Sequence, residues 1–221
     1  MACRPFMKPG SEITCLFLDI GGVLLTNGWD HPARHRAARH FQLSRAGMEA
    51  AHRLNFEILE QDKITLTEYL DRVVFSEERP FTRTEFRRFM FAQSKPLPGM
   101  IGLVRQLKTR HHLKIVVVSN EGREMNAHRI RQFQLAGLVD AFISSAFVHL
   151  RKPDEDIFRL ALDIAQTPVG QILYLEDTPL FVQIAEGLGI KSILHRDYES
   201  TRRQLAAVGL SGAEGTDHEE F

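Results

Sequence analysis

Short apolar runs alternate with longer stretches of helical periodicity over most of this chain, and the apolar runs end on polar residues. The first, Thr14-Cys15-Leu16-Phe17-Leu18, closes on Asp19 and breaks into Ile20-Gly21-Gly22-Val23-Leu24. A run this short, apolar throughout and bounded by glycines, reads as a central strand of a parallel sheet. From Pro98 onward the rhythm is regular: a helix over Pro98 to His111, a buried strand from Leu113 to Val118, a helix from Arg123 to Phe133 and a strand from Ala141 to Ser145. Pro153 then opens a helix with Ile157, Leu160, Ala161 and Ile164 on one face. A strand from Ile172 to Leu175, a helix with Phe181, Ile184, Ala185 and Leu188 at core spacing, a strand from Lys191 to Leu194 and an amphipathic stretch around Leu205 complete the series. Strands alternating with helices predict an α/β fold, a doubly wound parallel sheet with right-handed crossovers.

Residues 28–95 break this rhythm. They show helical patterns at His35 to Phe41, Met48 to Leu59, Leu66 to Val74 and Thr84 to Phe91, and no clear strand. Thr65 with Glu68 and Thr82 with Glu85 have the spacing of capping boxes, which marks helix starts. The pattern predicts a helical domain over 28–95 inserted into a core made of 12–27 and 96–210, with turn formers at Asn27-Gly28 and Lys95-Pro96-Leu97-Pro98 as linkers. Directly after the first strand, such an insertion can cover the sheet's rim and exclude water. The tails 1–11 and 211–221, the second acidic and rich in small residues, are expected to be flexible.

Composition narrows the function. A chain of 221 residues, 43% hydrophobic and 25% charged, is an ordinary globular protein. Its formal net charge is zero, without the basic excess that a nucleic-acid or membrane-surface binder uses to attract phosphates. The two cysteines, Cys3 and Cys15, make neither a disulfide framework nor a metal knot. Without a signal-peptide pattern in 1–11 or a bilayer-length apolar run, a reducing, cytoplasmic setting is expected.

Chemistry collects at the strand ends, where open α/β sheets bind ligands. Asp19 alone reads equally as a nucleophile and as a turn cap. Ser119-Asn120, closing the second strand, can hydrogen-bond an anionic oxygen or cap a helix. Arg151 and Lys152 precede the helix begun by Pro153; cations there oppose the helix dipole, which an anion in the site would explain, and a pair of solvated charges reads equally well. Glu176 and Asp177 follow the strand Ile172 to Leu175, and adjacent carboxylates repel unless a cation such as magnesium relieves them or Asp177 caps the next helix. Together these ends supply a carboxylate nucleophile, phosphate donors, a counter-charge and a metal site, the set that phosphoryl transfer needs.

In order and spacing the four segments resemble the motifs of the haloacid dehalogenase-like hydrolase superfamily: Leu16-Phe17-Leu18-Asp19-Ile20-Gly21-Gly22-Val23, Val118-Ser119-Asn120, Arg151-Lys152-Pro153 and Leu175-Glu176-Asp177-Thr178. The likeness covers about Thr14 to Leu194. It implies a Rossmann-like core with residues 28–95 as a cap, and Asp19 as the nucleophile that forms an aspartyl-phosphate. It further implies magnesium held by Asp19, the Gly21 carbonyl and Asp177, with Glu176 as a ligand or a neighbour of the ligands. Ser119 and Asn120 would bind phosphoryl oxygens, and Lys152 would neutralise them and orient Asp19.

One position departs from the pattern. Phosphatases of the superfamily carry a second aspartate two residues after the nucleophile, to protonate the leaving group; here that residue is Gly21. The resemblance therefore implies a magnesium-dependent phosphatase of a small phosphorylated metabolite with a good leaving group, a sugar phosphate for instance. His31, Glu121 and Asp30 are candidate substitutes for the missing acid. A dehalogenase, which needs no such acid, and a silent binding protein stand as alternatives. The basic, histidine-rich stretch His31 to His40 reads as a solvated helix from which His31 or Arg34 can reach the pocket, and Phe81, Phe86, Phe89, Met90 and Phe91 read as cap core.

Overall fold

The computed structural model describes residues 12–212. Its sheet is built from β1 (Cys15–Leu18), β2 (Lys114–Ser119), β3 (Ala141–Ser144), β4 (Ile172–Glu176) and β5 (Lys191–Leu194), all parallel, in the order β3-β2-β1-β4-β5. β1 lies at the centre with both neighbours in register, Leu18 beside Val117 and Leu175, so Asp19 emerges between the ends of β2 and β4.

Alternation along the strands divides the core into two layers. Leu16, Leu18, Ile115, Val117, Leu173 and Leu175 face one side, against Leu103, Val104 and Leu107 of a helix at Pro98–His111 and Leu205 of one at Tyr198–Ala207. Cys15, Phe17, Val116, Val118, Ile172 and Tyr174 face the other, against Ile157, Phe158 and Ala161 of the Glu155–Ala165 helix and Ala185 of the Pro179–Gly187 helix. Burial on both faces explains why the strands read as unbroken apolar runs. Burial also raises the Cys15 thiol to about 12, which leaves it inert; Cys3 lies outside the described residues.

The insert holds α1 (His31–His40), α2 (Arg45–Glu60), α3 (Leu66–Val73) and α4 (Arg83–Phe91). Both capping boxes are present, at Thr65/Glu68 and Thr82/Glu85. Its apolar residues form a cluster of their own, with Ala37, Met48, Leu59, Tyr69, Leu70, Phe86 and Met90 buried and Phe81, Phe89 and Phe91 packed around them. The histidine-rich helix α1 exposes His31, Arg36, Arg39 and His40, while Arg34 is buried.

After the insert come α5 (Pro98–His111), α6 (Arg123–Gln132), α7 (Ser145–Val148, a single turn the periodicity does not predict), α8 (Glu155–Ala165), α9 (Pro179–Gly187) and α10 (Tyr198–Ala207). Pro153 does not open α8. Asp154 is the N-cap and Glu155 and Asp156 fill the first turn, so the helix dipole meets acidic residues and the two cations lie in the preceding turn. Ser211 and Gly212 are tied by their carbonyls to His111 and Arg110; the rest of the expected flexible tails, 1–11 and 213–221, lies outside the described residues. Among the described residues no helix is long and apolar enough to cross a membrane.

Both linkers of the insert run side by side. Leu25 bridges Pro96 in antiparallel fashion, Thr26 N donates to Lys95 O, and Leu97 N donates to Leu24 O. Arg129 of α6, 2% exposed, clasps the pair: Nη2 donates to Thr26 O, Nε to Ser94 Oγ and Nη1 to Glu121. Arg129→Met strands the buried Glu121 carboxylate and opens the clasp, and should cost about 3–5 kcal/mol, read as a lower urea midpoint.

Candidate active site

The centre of the site is a buried ammonium. Lys152, 1% exposed, lies with Nζ 3.2 Å from Asp19 Oδ1, 2.6 Å from Glu176 Oε2 and 3.0 Å from the Tyr174 hydroxyl. Burial works against its charge, but Asp19, Tyr174 and Glu176 hold it well above the ordinary lysine value. Asn120 fixes its backbone from the end of β2, Nδ2 donating to Lys152 O and Oδ1 accepting from Lys152 N, both at 2.8 Å. The Asn120 amide, expected on the phosphoryl oxygens, is thus engaged in holding the lysine. Ser119, buried beside it, faces Asp19 and favours its charged form.

The three carboxylates behave differently. Glu176 is fully engaged: Oε2 accepts from Lys152 and Tyr174, and Oε1 from Thr178 N at 2.9 Å. Burial opposes its charge, yet Lys152 and Tyr174 leave it below the ordinary glutamate value. Asp19 is raised to about 7, by burial against the pull of Lys152, and its buried Oδ1 accepts no hydrogen bond. Asp177 is raised too, by burial and by Glu176. One oxygen from each of Asp19, Glu176 and Asp177 lies within 4.8 Å of the others, near the roughly 4 Å between opposite ligands of a magnesium octahedron. Two carboxyls whose charge burial opposes fit a hard cation, which Asp19 and Asp177 would hold, with Glu176 behind them on Lys152. The glycine turn beside them is held by Leu25 N donating to Ile20 O and Gly22 N to Leu25 O.

Each glycine of that turn has a distinct reason. Gly22 has φ +72°, and a Cβ there would lie 1.9 Å from Asp177 Oδ2. At Gly21 a Cβ would lie 2.4 Å from Asn27 Oδ1. Asn27 thus fills the space into which a side chain at Gly21 would grow, and its Nδ2 donates to Asp177 Oδ2 at 3.2 Å.

Over these groups lies a cavity of about 410 Å³, roofed by the insert. Phe56, Leu59, Leu66, Met90 and Phe181 make its walls apolar. Of the substitute acids expected from the sequence, His31 is exposed and bonds Arg45, Asp30 caps α1 by accepting from Ala33 N, and Glu121 is locked to Arg129. Arg34 reaches the cavity wall, but both ends of its guanidinium fork hold Glu49. Two polar groups that sequence reasoning passed over also line it, His52 and Glu60. Both lie on α2 among apolar neighbours, a polar interruption at helical spacing with Phe56 that is the signal to follow.

Hydrogen bonding ties His52 to its neighbours. Trp29 Nε1 donates to the Tyr69 hydroxyl at 2.9 Å, and that hydroxyl is hydrogen-bonded to His52 Nδ1 at 2.8 Å. Burial, with Arg34 adding to it, lowers His52 to about 4.

Gly22→Ala should cost at least about 1–2 kcal/mol from backbone conformation alone; by displacing Asp177 it should also abolish the magnesium-induced rise in Tm expected of the wild type. Because the fold depresses the pKa of His52, the stability it contributes is complete above about pH 6.5 and declines as pH falls toward 4. Fluorescence of Trp29, the chain's one tryptophan, should change with a midpoint near pH 4, and that transition should be missing in His52→Gln.

Comparison with known proteins bears on the family and the fold. The family model "Hydrolase: haloacid dehalogenase-like hydrolase" matches residues 13–189. Among curated proteins, a stretch of 77 residues is 35% identical to drimenol cyclase drtB of Aspergillus calidoustus, covering 35% of this chain and 15% of that protein. A HAD family enzyme from Bacteroides thetaiotaomicron, in complex with magnesium and inorganic phosphate, superposes with a TM-score of 0.67 at 19% identity, over 83% of this chain and 94% of that one. The L-2-haloacid dehalogenase of Xanthobacter autotrophicus, with chloropropionic acid covalently bound, superposes with a TM-score of 0.58 at 15% identity, over 90% and 84%. At these identities the structural likeness is one of fold, while the family match spans most of the sequence. The chain belongs to the haloacid dehalogenase-like hydrolases.

Proposed function

We propose that this hydrolase is a magnesium-dependent phosphatase of a small phosphate monoester, a sugar phosphate among the candidates, working through an aspartyl-phosphate on Asp19. The observation that carries this reading is the carboxylate cluster: one oxygen from each of Asp19, Glu176 and Asp177 lies within 4.8 Å of the others, close enough for Asp19 and Asp177 to share a cation. Magnesium bound there by Asp19, Asp177 and the Gly21 carbonyl would offset the charge of the phosphoryl oxygens and free Asp19 for attack. Lys152 holds the Asp19 carboxylate in line and adds a second positive charge. The Ser119 hydroxyl and the remaining N–H of Asn120 complete the phosphate cradle. The helical insert acts as a cap whose apolar underside excludes water from the reacting groups. The organic part of the substrate occupies the cavity under it, which suits a small metabolite rather than a nucleic acid or a protein.

Halide displacement is the second reading, favoured by the lack of a side chain at Gly21 and by the fold shared with a haloacid dehalogenase. It has no use for a cation between Asp19 and Asp177. The two readings separate in one assay. Phosphate release from p-nitrophenyl phosphate should require magnesium and fall to background in Asp19→Asn, with no halide released from 2-chloropropionate. Metal-independent halide release would favour the dehalogenase, and wild-type phosphate release no greater than that of Asp19→Asn would leave the phosphatase without support.

A further inference from the structure

We propose that Glu60, reaching down from the helical insert, is the proton donor and acceptor of this site, taking the part left without a side chain at Gly21. The inference rests on the phosphatase reading and names a residue for its second half. Glu60 ends α2, is 4% exposed and lines the same cavity as Asp19, Ser119 and Lys152. Its two oxygens are unequally used. Oε2 accepts both Arg151 Nε, at 3.1 Å, and Arg151 Nη2, at 2.9 Å, whereas Oε1 has no hydrogen-bond partner among the described residues, and the side chain lines the cavity.

Arg151 is joined by one peptide bond to Lys152, which touches Asp19, so the carboxyl is tethered to the reacting centre through the core. Burial raises Glu60 to about 7, with Arg151 opposing, a value at which a carboxylic acid can both give and take a proton near neutrality. Arg151, Lys152 and Glu121 are the charged groups acting on it, and Glu57 shares Arg151 from the exposed side. No other acidic group on the cavity wall has this combination: Asp30 caps a helix, Glu121 is held by Arg129 and Glu124 accepts from Leu66 N.

The step balances as follows. An Asp19 oxygen forms a bond to phosphorus, the bond from phosphorus to the alcohol oxygen breaks, and its electron pair takes the proton from Glu60 Oε1, so the alcohol leaves neutral. The Glu60 carboxylate then removes a proton from a water that attacks the same phosphorus, which breaks the bond to Asp19, releases inorganic phosphate and restores the acid.

Leaving-group dependence tests this. Wild type and Glu60→Gln are compared on p-nitrophenyl phosphate, whose leaving group needs no proton, and on a simple alkyl phosphate, whose leaving group does. Glu60→Gln should lose about 10²-fold or more in kcat/KM on the alkyl phosphate and far less on p-nitrophenyl phosphate, while Glu57→Gln, which also takes a bond from Arg151, should shift both substrates together. Equal loss on both substrates in Glu60→Gln, or loss on neither, overturns the proposal, since a residue that only latches the insert through Arg151 would act that way. Should Glu60→Gln not fold, a series of aryl phosphates on the wild type decides: a shallow dependence on leaving-group acidity supports an internal acid, and a steep one overturns it. A wild type that releases phosphate from neither substrate removes the phosphatase reading itself, an outcome distinct from an active wild type with an indifferent Glu60.

Discussion

A lysine ammonium enclosed in protein has to be neutralised where it lies, and the rim of this sheet is arranged around that requirement. Three central strands contribute at their ends. β1 brings Asp19, β4 brings Tyr174 and Glu176, and the residue after β2, Asn120, clamps the backbone that carries Lys152. Removing one partner of such a group leaves an uncompensated charge in a dry place, so the network holds its members more firmly than a solvated ion pair would. Because Glu176 already answers the lysine, Asp19 and Asp177 carry an excess of negative charge at the cavity floor. A divalent cation would bring that floor to balance.

The roof follows a related rule. Arg34, Arg129 and Arg151 all border the cavity, and each is committed to carboxylates: Glu49, Glu121 and the pair Glu57 and Glu60. What remains for a ligand is a mostly apolar wall with a few oriented polar groups, the His52 ring among them. Small-molecule sites gain orientation from such sparse polar points and shape from the apolar remainder.

The strands and their polar ends were legible in the chain because strands buried on both faces leave unbroken apolar runs. A carboxylate or hydroxyl placed directly after such a run has only the rim to occupy, as Asp19, Ser119 and Asp177 do. Other features were not legible because they depend on contacts distant in sequence. Arg151 looked like an unpaired cation before a helix, yet its partners lie on α2, and the cap of α8 at Asp154 could not be told from a start at Pro153 by periodicity alone. Asn27 fills the room beside Gly21 only because the linker turns back over the glycine turn. His52 and Glu60 were hidden by phase: α2 has apolar residues on several sides, and only the packing of α3 and the core decides which side faces the cavity.

The paired linkers at Leu25–Pro96 carry a consequence of their own. Since the chain leaves the sheet and returns at adjacent points, everything between can lengthen, shorten or be replaced with little change in loop-closure entropy, which grows only slowly with length. Neither strand register nor the Lys152 network has to follow such a change. The strand-end groups and most of the cavity wall therefore lie in separately alterable parts of one polypeptide, joined by a two-strand neck, and a descendant of this protein can rewrite much of the segment above the neck so long as Glu60 keeps its place over the groups below.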